Sequence, residues 1–106
     1  VTSRRQADRG TYALLAPSAN RVKVGSASNI DTRIRDIARI CPVPLMLIGR
    51  SNSFVESRIH DEIATAHVNG EWFEATPEVL AAIERHMVRI ERPVDASPRE
   101  KSRWHR

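Results

Sequence analysis

Residues 10–33 read GTYALLAPSANRVKVGSASNIDTR. TYALLA (11–16) is a short apolar run bounded by Gly10 and Pro17, as a strand would be. SANR (18–21) is turn chemistry. RVKVG (21–25) alternates and stops at a glycine, which fits the returning arm of a hairpin. Beyond it, SNIDTRIRDIARI (28–40) spaces Ile30, Ile34 and Ile37 on one helical face, with Ser28 and Asp31 resembling a capping box. CPVP (41–44) stops that helix, because a residue before proline resists helical angles.

The rest of the chain alternates in the same way. LMLIG (45–49) is too short for a helix and too apolar for an edge, so a buried strand is expected. SFVESRIHDEIATAH (53–67) fits a second helix with Val55, Ile59, Ile63 and Ala66 inward. NGEWF (69–73) is a turn and a short strand. TPEVLAAIERHMVRI (76–90) fits a third helix, capped by Thr76 with Pro77 in its first turn. Its stripe is Val79, Leu80, Ile83, Met87 and Ile90, and Arg85, Arg89 and Arg92 crowd its negative end. The expected fold is α/β (α+β), a small, mostly antiparallel central sheet on the 11–16, 21–25 and 45–49 strands, flanked by helices.

One domain suits 106 residues. Residues 10–92 form the expected domain, between a flexible basic segment at 1–9 and a basic flexible tail at 93–106. Cys41 is the single cysteine, which excludes a disulfide framework or a multi-cysteine zinc site within the chain. No run approaches the ~20 apolar residues of a membrane helix. No basic-then-apolar signal opens the sequence, so a cytoplasmic protein is expected. The formal charge of +4 sits at the ends, since residues 11–92 carry ten basic and ten acidic side chains. Basic ends fit a polyanionic partner, and equally a solvated tail.

Gly10-Thr11-Tyr12 resembles the GIY triplet of the GIY-YIG nucleases, and Lys23-Val24-Gly25 resembles their YIG, with lysine replacing the second tyrosine. Ten residues separate the triplets, and Arg33 follows Gly25 by eight. FVESRIHDEI (54–63) resembles the metal-binding helix of that family, and together with GEWF (70–73) the chain is most similar to its phage-associated branch, over roughly residues 10–84. The resemblance implies a GIY-YIG-type endonuclease that hydrolyses DNA with one Mg²⁺ or Mn²⁺. It implies Tyr12 as base or proton acceptor, Arg33 on the phosphate charge and Glu56 as metal ligand. Products would carry a 5′-phosphate and a 3′-hydroxyl.

The residue types suit that chemistry. A carboxylate such as Glu56 holds a hard cation that keeps most of its waters. A guanidinium such as Arg33 donates two hydrogen bonds to one phosphate. A tyrosine acts as base only with a lowered pKa, and Lys23 on the paired strand is the expected lowering group. Each residue has a plainer alternative. Tyr12 and Lys23 could be ordinary strand residues, Arg33 could pair with Asp31 or Asp36, and Glu56 could pair with His60 at i+4. His60 and Glu71 are auxiliary candidates, Glu71 with an alternative life beside the Trp72–Phe73 pair. Arg35, Arg39, Arg99, Lys101 and Arg103 are the candidate nucleic-acid contacts. The competing function is a catalytically weak or inactive module of the same fold that binds nucleic acid or protein.

Overall fold

The computed structural model describes residues 8–96. The hairpin forms as its sequence dictates, from β1 (Gly10–Ala16) and β2 (Arg21–Ala27). Asn20 takes the left-handed conformation in the turn (φ 55°), which asparagine tolerates better than most residues. The register sets Tyr12 opposite Gly25 and Leu14 opposite Lys23. Next come α1 (Ile30–Ile40), β3 (Met46–Ser51), α2 (Glu56–Glu62), a single 3-10 turn (Ala64–Ala66), β4 (His67–Asn69), β5 (Trp72–Glu74), α3 (Pro77–His86) and β6 (Val88–Pro93).

The six strands make one antiparallel sheet in the order β4-β5-β2-β1-β3-β6. The fold is the expected α+β sandwich around an antiparallel sheet. Strand alternation sends Tyr12, Leu14 and Ala16 to one face, where they pack with Ile30, Ile34 and Ala38 of α1. Ala13, Val22, Val24 and Phe73 take the other face, against Ile59 and Ile63 at the α2 end and Val79, Ala82 and Ile83 of α3. At the start of β1 only glycine fits. Gly10 has φ 141°, and a Cβ there would run into the Ser51 carbonyl.

Several expectations need correction. Helix α1 is capped by Asn29, whose side chain accepts from the Thr32 N–H at 3.1 Å, and not by Ser28. The second helix stops at Glu62, and the 53–67 stretch ends in a 3-10 turn before β4. Seven residues are too few to be helical on propensity alone, so α2 depends on burying Ile59 and Ile63 against the sheet. The third helix stops at His86, and residues 88–93 pair with β3 instead. Val88 and Ile90 alternate with Arg89 and Glu91, a period-two pattern, and β3 has backbone groups on that side to satisfy. Arg89 and Arg92 therefore lie on a strand and not at a helix end. Leu80, expected inward, is exposed.

Candidate active site

β5 pairs with β2 only along Arg21–Lys23. The rest of the β2 edge is completed by side chains and loop backbone. The Val24 N–H donates to the Glu71 carbonyl at 3.1 Å. The Val24 carbonyl, which a longer β5 would have used, accepts from His60 Nε2 at 2.8 Å. His60 thereby ties α2, which covers one sheet face, to the edge where that face meets the other. One helical turn earlier on α2 stands Glu56, with its Oε2 3.7 Å from His60 Nε2.

Gly25 sits at this edge, and its missing side chain is the site's central space. A Cβ there would lie 2.5 Å from the Tyr12 hydroxyl and 2.7 Å from Glu71 Oε1. Tyr12 comes from the α1 face and Glu71 from the turn before β5, so the glycine lets two polar tips approach one point. Lys23, two residues before Gly25 on the same face, pairs with Glu71 Oε1 at 3.0 Å and lies 5.6 Å from the Trp72 ring centroid. The Glu56 carboxyl lies near enough to Glu71 and to the Ser26 hydroxyl for each to bear on its titration.

Charge is distributed unevenly over this cluster. Burial, then the hydrogen bond to Glu71, raises the Glu56 pKa, with Ser26 and His60 opposing. Burial also pushes Glu71 upward, but the hydrogen bond from Glu56 and the Lys23 ammonium outweigh it, so Glu71 is lowered. The surroundings thus set the two carboxyl groups apart, Glu56 toward its protonated form and Glu71 toward its anion. Tyr12 is pushed up to about 12, first by burial and then by Glu71, with Arg33 pulling it down and Glu56 adding to the rise.

Two expectations fail here. The Tyr12 pKa is raised and not lowered, and the Lys23 ammonium pairs with Glu71. The Tyr12 ring and hydroxyl are not open to solvent, being only 1% exposed, although Lys23, Glu56 and Glu71 are partly open. Tyr12 and Glu71 close on Gly25, Lys23 pairs with Glu71, and the charges of Glu56 and Arg33 bear on the Tyr12 phenol.

Arg33 is exposed on the first turns of α1. The carboxylates it could have paired with are taken. Asp36 pairs with Arg39 at 3.0 Å, and Asp31 with Arg50 at 3.4 Å and Arg92 at 3.8 Å. Among the described residues Arg33 has no ion-pair partner, yet it is near enough to bias the Tyr12 phenol. Arg35 and Arg39 do not join the cluster. Arg35 lines a cavity of about 300 Å³ with Asp31, Ile34 and Arg92, which none of the clustered residues reach. Arg99, Lys101 and Arg103 lie outside the described residues.

The donor chemistry suits one kind of metal. Among the described residues no group of three or more histidine, cysteine or acidic side chains could hold an ion. Two neighbouring carboxyl groups such as Glu56 and Glu71 suit a hard dication that retains several waters, as Mg²⁺ does. A zinc site would need more protein ligands, and the His60 Nε2 is already used.

Residues 10–88 match the T5orf172 domain. The chain belongs to the T5orf172 domain family. The T5orf172 match begins at Gly10 and ends at Val88, so it contains every residue of the cluster. No curated protein and no solved structure matches the chain. Among the described residues no helix is long and apolar enough to cross a membrane.

Two contributors were not apparent from the sequence. Ser26 is a loop-like serine in a glycine-serine run, and nothing local marks it as a carboxyl partner. Thr11 replaces the apolar middle residue of the GIY triplet. A polar residue there was the available signal.

Proposed function

We propose that this T5orf172 domain is a metal-dependent endonuclease that hydrolyses DNA phosphodiester bonds with a GIY-YIG-type site. The single observation that carries the reading is the meeting of Tyr12, Glu56 and Glu71 around the side-chain-free Gly25, with Arg33 unpaired beside them. A plain structural role would leave Arg33 with a local carboxylate and would separate Glu56 from Tyr12.

Glu56 and Glu71 would hold one Mg²⁺ or Mn²⁺. The ion, when bound, polarises a phosphate oxygen and lowers the pKa of bound water. Arg33 binds the phosphate and offsets charge growing on its oxygens. Tyr12 is a neutral phenol while Glu56 and Glu71 are uncompensated. Compensating them removes two of the upward influences on Tyr12 and leaves the opposing pull of Arg33, which moves the phenol toward the phenolate that can accept a proton. Lys23 holds Glu71 in its anionic form and orients it. His60 holds α2 to β2 and thereby holds Glu56 at the edge.

A second reading has its own observation. Burial of Tyr12 and its high pKa favour a domain that binds nucleic acid and cuts it weakly or not at all. Incubation of supercoiled plasmid with Mg²⁺, Mn²⁺ or a chelator separates the two. Metal-dependent nicking supports the nuclease, and retention of DNA without nicking under any divalent ion supports the binding module.

A further inference from the structure

Besides the Tyr12 phenol, Thr11 is the fully buried polar side chain among the described residues, and the cluster chemistry above makes no use of it. It stands on β1 directly before Tyr12, on the opposite sheet face. Its hydroxyl donates to the Ser53 carbonyl at 2.8 Å and accepts from the Val55 N–H at 2.9 Å. Both partners belong to the segment that leads into α2, and Glu56 is the first residue of that helix.

Helix α2 lacks the usual local device for fixing its start. Its cap residue is Val55, which has no side-chain oxygen to offer the first N–H groups. Thr11 supplies that oxygen from 44 residues away in sequence. Ser26, across the β1–β2 register from Thr11, stands 3.4 Å from its hydroxyl and is near enough to Glu56 to lower its pKa. One short path therefore runs from the Tyr12 strand, through Thr11, to the backbone that sets the position of Glu56.

We propose that Thr11 is a positioning residue for the carboxylate site: its hydroxyl pins residues 53–55 to the strand that carries Tyr12, and so fixes where Glu56 stands relative to Tyr12 and Glu71. The inference rests on the metal-dependent reading given above. Valine has the shape of threonine without the hydroxyl, and serine has the hydroxyl without the methyl, so the pair separates hydrogen bonding from packing.

The experiment compares the parent, Thr11→Val, Thr11→Ser and Glu56→Gln. Mn²⁺ binding is followed by the electron paramagnetic resonance of the free ion, with plasmid-nicking kcat and KM and a thermal melt alongside. Removing a group that orients a metal ligand costs about 10–100-fold in affinity or activity. Thr11→Val should weaken Mn²⁺ binding and lower kcat by that range, with KM for plasmid within about threefold of the parent. Thr11→Ser should recover most of both. If Thr11→Val keeps Mn²⁺ affinity and kcat while Glu56→Gln loses them, the positioning role is wrong and the metal site stands. If Glu56→Gln itself binds Mn²⁺ as the parent does, the metal site is wrong and the positioning role goes with it. Should Thr11→Val not fold, Thr11→Ser decides alone, and a folded serine variant with a 10-fold or greater loss of kcat overturns the proposal.

Discussion

The Lys23 ammonium lies 3.0 Å from Glu71 Oε1, on the last rung at which β5 pairs with β2. This pair decides what the lysine in the second triplet does. Its charge goes to a carboxylate and not to the Tyr12 phenol. Replacing Lys23 by Met should raise the Glu71 pKa and cost up to about 1 kcal/mol at neutral pH, since the pair is partly exposed. The Tyr12 titration midpoint should stay within about half a unit, because Lys23 is not among the influences on it. A fall of a full unit or more on introducing Met would return to Lys23 the role that the sequence implied.

Tyr12 is the only tyrosine of the chain, so phenolate absorbance near the ultraviolet edge reports it alone. In the metal-free protein the midpoint should lie about two units above the usual 10. A folded pKa above the unfolded value means that Tyr12 stabilises the fold fully below pH 10, and that this contribution disappears as pH rises through about 12. The displacement corresponds to roughly 2–3 kcal/mol. Melting temperature should therefore drop between pH 10 and 12 in the parent, and Tyr12→Phe should remove that phase. Arg33→Ala should move the midpoint up and Glu71→Gln should move it down. Opposite movements would contradict the geometry of the cluster.

The two carboxyl groups make opposite contributions with pH. Glu71 is lowered, so its contribution is present above the ordinary carboxylate range and is lost as pH falls. Glu56 is raised, so its contribution is present at low pH and is lost as pH rises through its folded value. Above that value the ionised Glu56 stands partly buried beside Glu71 with no compensating charge of its own. Glu56→Gln keeps a hydrogen-bond donor toward Glu71 without needing a proton. It should melt about 2–6 °C higher than the parent at pH 7, which corresponds to roughly 0.5–1 kcal/mol. Such a trade between stability and function is expected where like charges are held for a ligand. A melting temperature below that of the parent at pH 7 would show that the pair is not under this strain.

Arg33 and Arg39 share one helix and differ in what holds them. Arg39 is engaged by Asp36, whereas Arg33 has no ion-pair partner among the described residues. Arg33→Ala should lower plasmid nicking by at least about 100-fold, the scale of losing a donor to transition-state charge. Arg39→Ala should change it by less than about threefold. Equal effects from the two would make α1 a general polyanion contact rather than the carrier of one site residue.

How much of this was legible in the sequence follows from the range of each interaction. The hairpin and α1 were legible because turn residues and spacing act over a few neighbours, as at Asn20 and along Ile30, Ile34 and Ile37. The end of α3 was not. Val88 and Ile90 satisfy helical and strand spacing at once, and only the open backbone of β3 chooses between them. For the candidate site, resemblance to the GIY-YIG triplets and metal helix singled out Tyr12, Arg33 and Glu56, and the paired register of β1 and β2 brings Tyr12 opposite Gly25. That Lys23 turns to Glu71, and that Tyr12 is buried, depends on where the turn at Gly70 returns the chain, which no local pattern encodes. Thr11 belongs to the same class, since its partners lie 42 and 44 residues away.

The central claim is that Glu56 serves a metal-dependent cleavage reaction, and nicking of supercoiled plasmid by parent and Glu56→Gln in parallel tests it most directly. Both proteins should melt cooperatively. The parent should nick in Mg²⁺ or Mn²⁺ and stop in chelator, leaving 5′-phosphate and 3′-hydroxyl ends. Glu56→Gln should bind the plasmid but nick it at least about 100-fold more slowly, the loss expected when a main ligand of a weak site is removed. A folded Glu56→Gln protein that nicks as fast as the parent would contradict the account.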